Sequence, residues 1–333
     1  MTPADLSRCV VRAVRRAVED GELPAEAVVP ERVVVERTRP GGVGDYATPV
    51  AFQVAKGAGR PPRGVADVLA RRLGDEPGIG SVEVTGAGFL NFVLPAVSAS
   101  SVIRDVRGRA ALLADGEGEG EGEGEGRGGL RQTAVRRSVL RLLRAQGDRG
   151  CELPGLGDLS VAPLAKRDSD VVARYGADAA AWGMLAVPAR ETPQFDDRLL
   201  AQGEDSELFR VRYAYARCRA LRRNAEQLGF RGEAGDVGDV RDVREVDASA
   251  LIRVLADFPL VLEAAAHHRA PERLARYLVE TADALLDFQH CVLPKGDEKP
   301  LAAHRARLAL AEAAGTVLAG GLALLGIDAP ERL

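Results

Sequence analysis

The sequence predicts an α+β chain: a small N-terminal α/β-sandwich-like domain followed by a C-terminal all-α helical bundle. Three observations predict it. Every run that reads as a strand falls in the first 98 residues. An alternating Gly–Glu tract occupies residues 115–126. From Ser206 to Leu333 the chain is Leu- and Ala-rich at helical spacing. The 333 residues, 46% hydrophobic and 28% charged, have ordinary globular composition with room for two domains. The expected divisions are an α+β domain over 1–98, a flexible linker over 99–129, connecting helices over 130–200 and the bundle over 201–333.

In the first domain, Leu6, Val10, Val14 and Val18 mark an opening amphipathic helix. Arg32–Glu36 is β-branched and reads as a strand. The stretch from Asp45 to Lys56 shows a second helical face, and Pro61-Pro62 precedes a third helix. Ser81–Val84 and Phe89–Val93 read as two strands split by Gly86-Ala87-Gly88. Helices over one face of a small antiparallel sheet follow from this order. In the last strand, Leu90, Phe92 and Leu94 share the better core face. Phe89, Asn91 and Val93 share the other, which is expected to be the more exposed.

The Gly–Glu tract has no apolar residue to bury and a uniform negative charge, so it reads as a self-repelling linker. Its charge has the wrong sign for a phosphate-cradling loop. Leu130–Gln146 follows as a strong helix carrying Arg131, Arg136, Arg137, Arg141 and Arg144.

A net charge of −4 argues against a binder driven by bulk electrostatics. Only Lys56, Lys166, Lys295 and Lys299 are lysines, so 41 of the 45 basic residues are arginine. Such a bias reflects composition, and arginine enrichment is discounted accordingly. The helix from Ser206 places Arg212, Arg219 and Arg223 within roughly 40° of one another. One stripe of three guanidinium groups suits a phosphate backbone.

Cys9, Cys151, Cys218 and Cys291 are far apart, and His290-Cys291 is only half of a metal-ligand cluster. No metal and no cofactor is expected. No run of about 18 apolar residues occurs, and Met1–Arg8 lacks a signal-peptide layout. A cytoplasmic protein without a membrane partner is expected.

Gly44–Thr48, Gln53–Lys56 and Gly86–Phe92 are similar to the N-terminal additional domain of arginyl-tRNA synthetases. The resemblance implies that Phe89 and Asn91 recognise a D-loop base, the ring stacking on it and the amide reading its edge. Tyr213-Ala214-Tyr215-Ala216-Arg217 resembles the Tyr-Ala-His-Ala-Arg run that opens the family's anticodon-binding bundle, with Tyr215 in the histidine position. Phe288–Val292, Arg305–Leu310 and Gly321–Leu333 are similar to the rest of that DALR domain, Gln289 standing where the family often has tyrosine.

The region between departs from the family. Leu130–Val135 and Arg141–Leu143 resemble the helix that follows the ATP motif His-x-Gly-His. That motif then falls on Gly126–Gly129, and both histidines are glycines (Gly126 and Gly129). Gly176-Ala177-Asp178-Ala179 resembles the segment after the second signature, of which Lys166 alone remains. Fewer than 30 residues separate Gln146 from Tyr175, too few for a doubly wound sheet. Residues 130–200 then read as a remnant of a catalytic domain.

The resemblance therefore implies a non-catalytic tRNA-binding protein with no catalytic residues of its own. Its expected nucleic-acid contacts are Phe89, Asn91, Arg212, Tyr215, Arg219 and Arg223. The expected partner is tRNA of the arginine type, with a true synthetase or another tRNA-using enzyme as a further candidate. One alternative is an arginine–tRNA ligase, and another is a helical protein-interaction module without RNA binding.

Overall fold

The computed structural model describes residues 3–39, 41–114, 129–147, 159–165, 167–238 and 248–333. The Gly–Glu tract, Gly126, Cys151 and Lys166 lie outside them. The chain divides into two compact units, one of Met1–Val97 with Ala256–Ala264 and one of Ser98–Leu255 with Ala265–Leu333.

The first unit holds α1 (Pro3–Glu19), β1 (Glu36–Arg37), β2 (Tyr46–Thr48), α2 (Val50–Ala58), α3 (Pro62–Gly74), β3 (Ser81–Thr85) and β4 (Phe89–Val93). Its sheet is antiparallel with strand order β1-β2-β4-β3. Leu6, Val10 and Val14 of α1, Val54 of α2 and Leu69 and Leu73 of α3 form one core with Leu90 and Phe92 of β4. Leu260 joins that core from the segment Ala256–Ala264. A polar knot accompanies it. The Tyr46 hydroxyl donates to Asp257 Oδ1, and Arg37 pairs with Asp257 Oδ2 while lying over the Tyr46 ring. Burial, with the Asp257 charge beside it, pushes the Tyr46 pKa up.

Two local expectations are corrected here. Tyr46–Thr48 is a strand, not the start of a helix. Thr48 Oγ1 donates to the Val34 carbonyl, and Pro49 stands at the N-cap of α2. The strand expected over 32–36 is reduced to Glu36–Arg37, although Val33 and Val35 are buried.

The second unit is helical: α4 (Ala99–Ala114), α5 (Leu130–Ala145), α6 (Asp168–Leu185), α7 (Glu207–Gln227), α8 (Ala248–His267, whose turns from Ala256 to Ala264 belong to the first unit), α9 (Pro271–Phe288) and α10 (Ala302–Leu325). Helix α4 corrects the linker expectation, because its 16 residues fall within 99–129. Ser98 begins it by accepting from the Ser101 amide, and Val102, Ile103 and Val106 form its buried stripe. Ser206 caps α7, its hydroxyl accepting from the Phe209 amide at 3.3 Å. Gly176 breaks the helical path of α6 at φ 76°, ψ 167°, a conformation essentially reserved for glycine. Helix α10 is long and apolar enough to cross a membrane, with mean hydropathy 1.8, yet 72% of that window is buried within the protein. It serves as a core helix of its unit.

Candidate nucleic-acid interface

The first group of predicted contacts lies on β4. Phe89 is 44% exposed and meets Phe52 edge-to-face at 5.0 Å. Leu90 and Phe92 point to the core, as the alternation requires. Asn91 departs from the expected exposed face: it is only 6% exposed. The cause is Thr85 on the neighbouring strand, whose Oγ1 accepts from Asn91 Nδ2 at 2.7 Å. The Glu83 and Phe89 carbonyls lie at 3.4 and 3.5 Å from the same nitrogen. Two carbonyls can only accept, so they fix which end of the amide is the NH₂. Among the described residues none donates to the amide oxygen. A ring presented to solvent beside an oriented amide can stack on one base and accept from its edge.

The second group lies on α7, and here the expected open stripe is corrected. Arg212 is 20% exposed and doubly held, by the Asp178 carboxylate and by the Asp328 carbonyl, to which its Nε donates at 3.0 Å. Arg219, 24% exposed, pairs with Glu331. Arg223 alone of the three has no hydrogen-bond or ion-pair partner among the described residues. Other arginines of the helix are engaged too. Arg210 pairs with Asp283 at 2.9 Å, and Arg217 Nε donates to Gln289 Oε1 at 2.7 Å. Gln289 thereby ties Arg217 of α7 to the end of α9.

Tyr215 is half-buried and its ring approaches Gly315 of α10. A Cβ at Gly315 would fall 2.5 Å from Cys218 Sγ, so glycine is what lets the two helices meet. Burial pushes the Tyr215 pKa up. The outward aromatic of this helix is Tyr213, 39% exposed and stacked on Phe209 at 5.9 Å. The i, i+4 spacing of two aromatics was the sequence signal for it.

The third group is the glycine-substituted motif. Gly126 lies outside the described residues, and Gly129 is the N-cap of α5. The Leu130 amide donates to Asp168 Oδ2 at 2.7 Å. An internal carboxylate thus sits at the helix N-terminus, where the macrodipole favours an anion. The next residue, Arg131, is 2% exposed. Its guanidinium donates to the carbonyls of Ala162, Met184, Val187, Pro188 and Glu191. Desolvation holds its pKa down. The sequence placed Arg131 on the same face as Val135, Ser138 and Leu142, a charge on an apolar stripe.

Among the described residues no group of three His, Cys, Asp or Glu side chains is placed to hold a metal. Burial raises the Cys218 and Cys291 thiols to about 12 and about 11, away from nucleophilic range.

Fold and surfaces together define a chain with a small α+β domain, whose β4 carries an exposed Phe89 next to a buried Asn91, and a helical unit. Residues 5–94 match the arginyl tRNA synthetase N terminal domain, and residues 211–333 match the DALR anticodon binding domain. The chain is therefore an arginyl-tRNA synthetase-related protein that carries both domains. An arginine–tRNA ligase of Frankia alni is 28% identical to it over 557 aligned positions, with the whole of each chain covered. Because this chain has 333 residues, at least 224 of those 557 positions have no residue here. The arginyl-tRNA synthetase of Thermus thermophilus shares the fold, with a TM-score of 0.56 at 15% identity, covering 98% of this chain and 100% of that one.

Proposed function

We propose that this chain binds tRNA through its two matched domains and does not itself aminoacylate it. One observation carries the reading: the two domains over 5–94 and 211–333 are joined by a region whose described residues form helices and short turns but no strand. A nucleotide-binding sheet of the doubly wound type needs several βα units. The shortfall of at least 224 positions against the ligase supports the same conclusion. So does the start of α5, where glycine replaces a histidine at position 129 and Asp168 already accepts from the first helical amide. A phosphate arriving there would meet a carboxylate.

In this reading Phe89 stacks on a splayed base and the Asn91 oxygen accepts from its edge. Tyr213 offers a second stacking face, and Arg223 offers a free guanidinium to the backbone. Arginine-type tRNA is the first to try, because the named relatives are arginine-specific enzymes. The purified chain should bind such a tRNA in a salt-sensitive manner and show no arginine-dependent ATP–pyrophosphate exchange. Clear exchange would make it a ligase. Absence of binding at low salt would leave it a protein-interaction module. Phe89→Ala should weaken binding by about 1–3 kcal/mol if one base stacks there.

A further inference from the structure

Helix α5 has sixteen residues, five of them arginine and none acidic. Arg137, Arg141 and Arg144 project within roughly 60° of one another, at i, i+4 and i+7. They step along the axis by about 6 and 4.5 Å. Arg137 and Arg144 are exposed. None of the three has a carboxylate partner among the described residues, whereas Arg210, Arg212, Arg219 and Arg222 on α7 each have one. The composition bias that supplies arginines everywhere does not explain this difference, since it acts on both helices alike.

We infer that the Arg137–Arg141–Arg144 face of α5 is a third tRNA contact, docking on the phosphate backbone. The proposal rests on the tRNA-binding reading and adds to it a surface outside both matched domains. The arrangement fits a polyanion in three ways. The charges form a ladder on the scale of successive phosphates along a strand. They repel one another in the free protein: besides burial, the Arg137 and Arg144 charges lower the Arg141 pKa. An anion would relieve that repulsion. Finally, guanidinium forks match phosphate oxygens in geometry as well as sign. Arg141 has a structural duty as well, because its guanidinium lies against Gly326, the left-handed cap of α10 at φ 75°. The two exposed members are therefore the ones to alter.

The test is the salt dependence of binding to an in vitro transcribed arginine-type tRNA, for the full chain, for Arg137→Gln/Arg144→Gln and for Arg137→Lys/Arg144→Lys. Each phosphate contact contributes about 0.7–0.9 to the slope of log K against log salt. The Gln pair should lower the slope by about 1.4–1.8, and the Lys pair should keep it near that of the parent. Circular dichroism should show equal helix content in all three. A parent that binds with a steep slope, alongside a Gln pair whose slope is unchanged, would overturn the α5 contact and leave the two-domain reading standing. A parent that does not bind at low salt would overturn both.

Discussion

Helix α7 carries Arg212, Arg219 and Arg223 on one face, and helix α5 carries Arg137, Arg141 and Arg144 on one face. By angle the two stripes are alike, spanning roughly 40° on α7 and roughly 60° on α5. By environment they differ at two of the three positions. On α7, Arg212 is held by Asp178 and the Asp328 carbonyl, and Arg219 by Glu331. On α5 the stripe has no carboxylate among the described residues. A guanidinium already paired inside the protein must give up that pair before it can meet a phosphate, and an uncompensated one need not. Counting arginines on a helical wheel therefore finds stripes but does not say which stripe is open.

Substitutions on the two helices separate the paired arginines from the open ones. The largest effect belongs to Arg131, the buried member of the same α5. Arg131→Met should destabilise the fold by about 3–5 kcal/mol, because five backbone carbonyls lose their donor. Thermal or urea unfolding would measure it, and a loss below about 1 kcal/mol would mean that water replaces the guanidinium easily. Next comes Arg212→Ala, at about 1–2 kcal/mol, since it strips both Asp178 and the Asp328 carbonyl of a partner. If Arg212 were instead an open phosphate ligand, the same substitution would leave unfolding unchanged and weaken only tRNA binding. Arg137→Gln/Arg144→Gln should fall on the other side of zero. Relief of like-charge repulsion is worth about 0.2–0.5 kcal/mol per pair, partly offset by the lost dipole interaction of Arg144 in the last turn.

The smallest effect is a pH dependence at the start of α10. His304 Nδ1 accepts from the Leu301 amide at 3.1 Å, which requires the nitrogen to be unprotonated. Burial holds the His304 pKa below its ordinary 6.5, Arg307 acting the same way and Glu298 opposing. A depressed folded-state pKa stabilises the fold above the unfolded value, and the benefit is lost as pH falls through the folded one. The stability advantage of the parent over His304→Asn should thus be full near about pH 7.5 and shrink toward about pH 5. An advantage that grew on acidification would mean that the Glu298 pairing dominates.

Part of this arrangement is legible in local sequence patterns. The alternation of β4 put Leu90 and Phe92 inside and Phe89 outside because a strand's period is 2. Helical spacing placed α5 from Leu130 and α7 from about Ser206, and both begin there. At Tyr46–Thr48 and at Arg212 the cause is the same, a partner distant in sequence. Tyr46–Thr48 looked helical because Ala47, Val50, Ala51 and Val54 happen to share that spacing, and the β4 partner that makes it a strand lies more than 40 residues away. Asn91 is buried because of Thr85, and Arg212 is occupied because of Asp178 and Asp328. Helix α4 was hidden by its neighbour in sequence, since the Gly–Glu tract drew residues 99–114 into the linker despite the stripe of Val102, Ile103 and Val106. No local pattern carries the pairing of β2 with β4 or of Arg212 with Asp178 and Asp328.

On one preparation of the intact chain, equilibrium binding of an arginine-type tRNA is followed across a salt series, with arginine-dependent ATP–pyrophosphate exchange measured in parallel in the presence of that tRNA. Binding should weaken steeply and log-linearly with salt, and exchange should be no faster than a protein-free blank. Salt-insensitive or absent binding, or exchange above the blank, would contradict tRNA binding without aminoacylation.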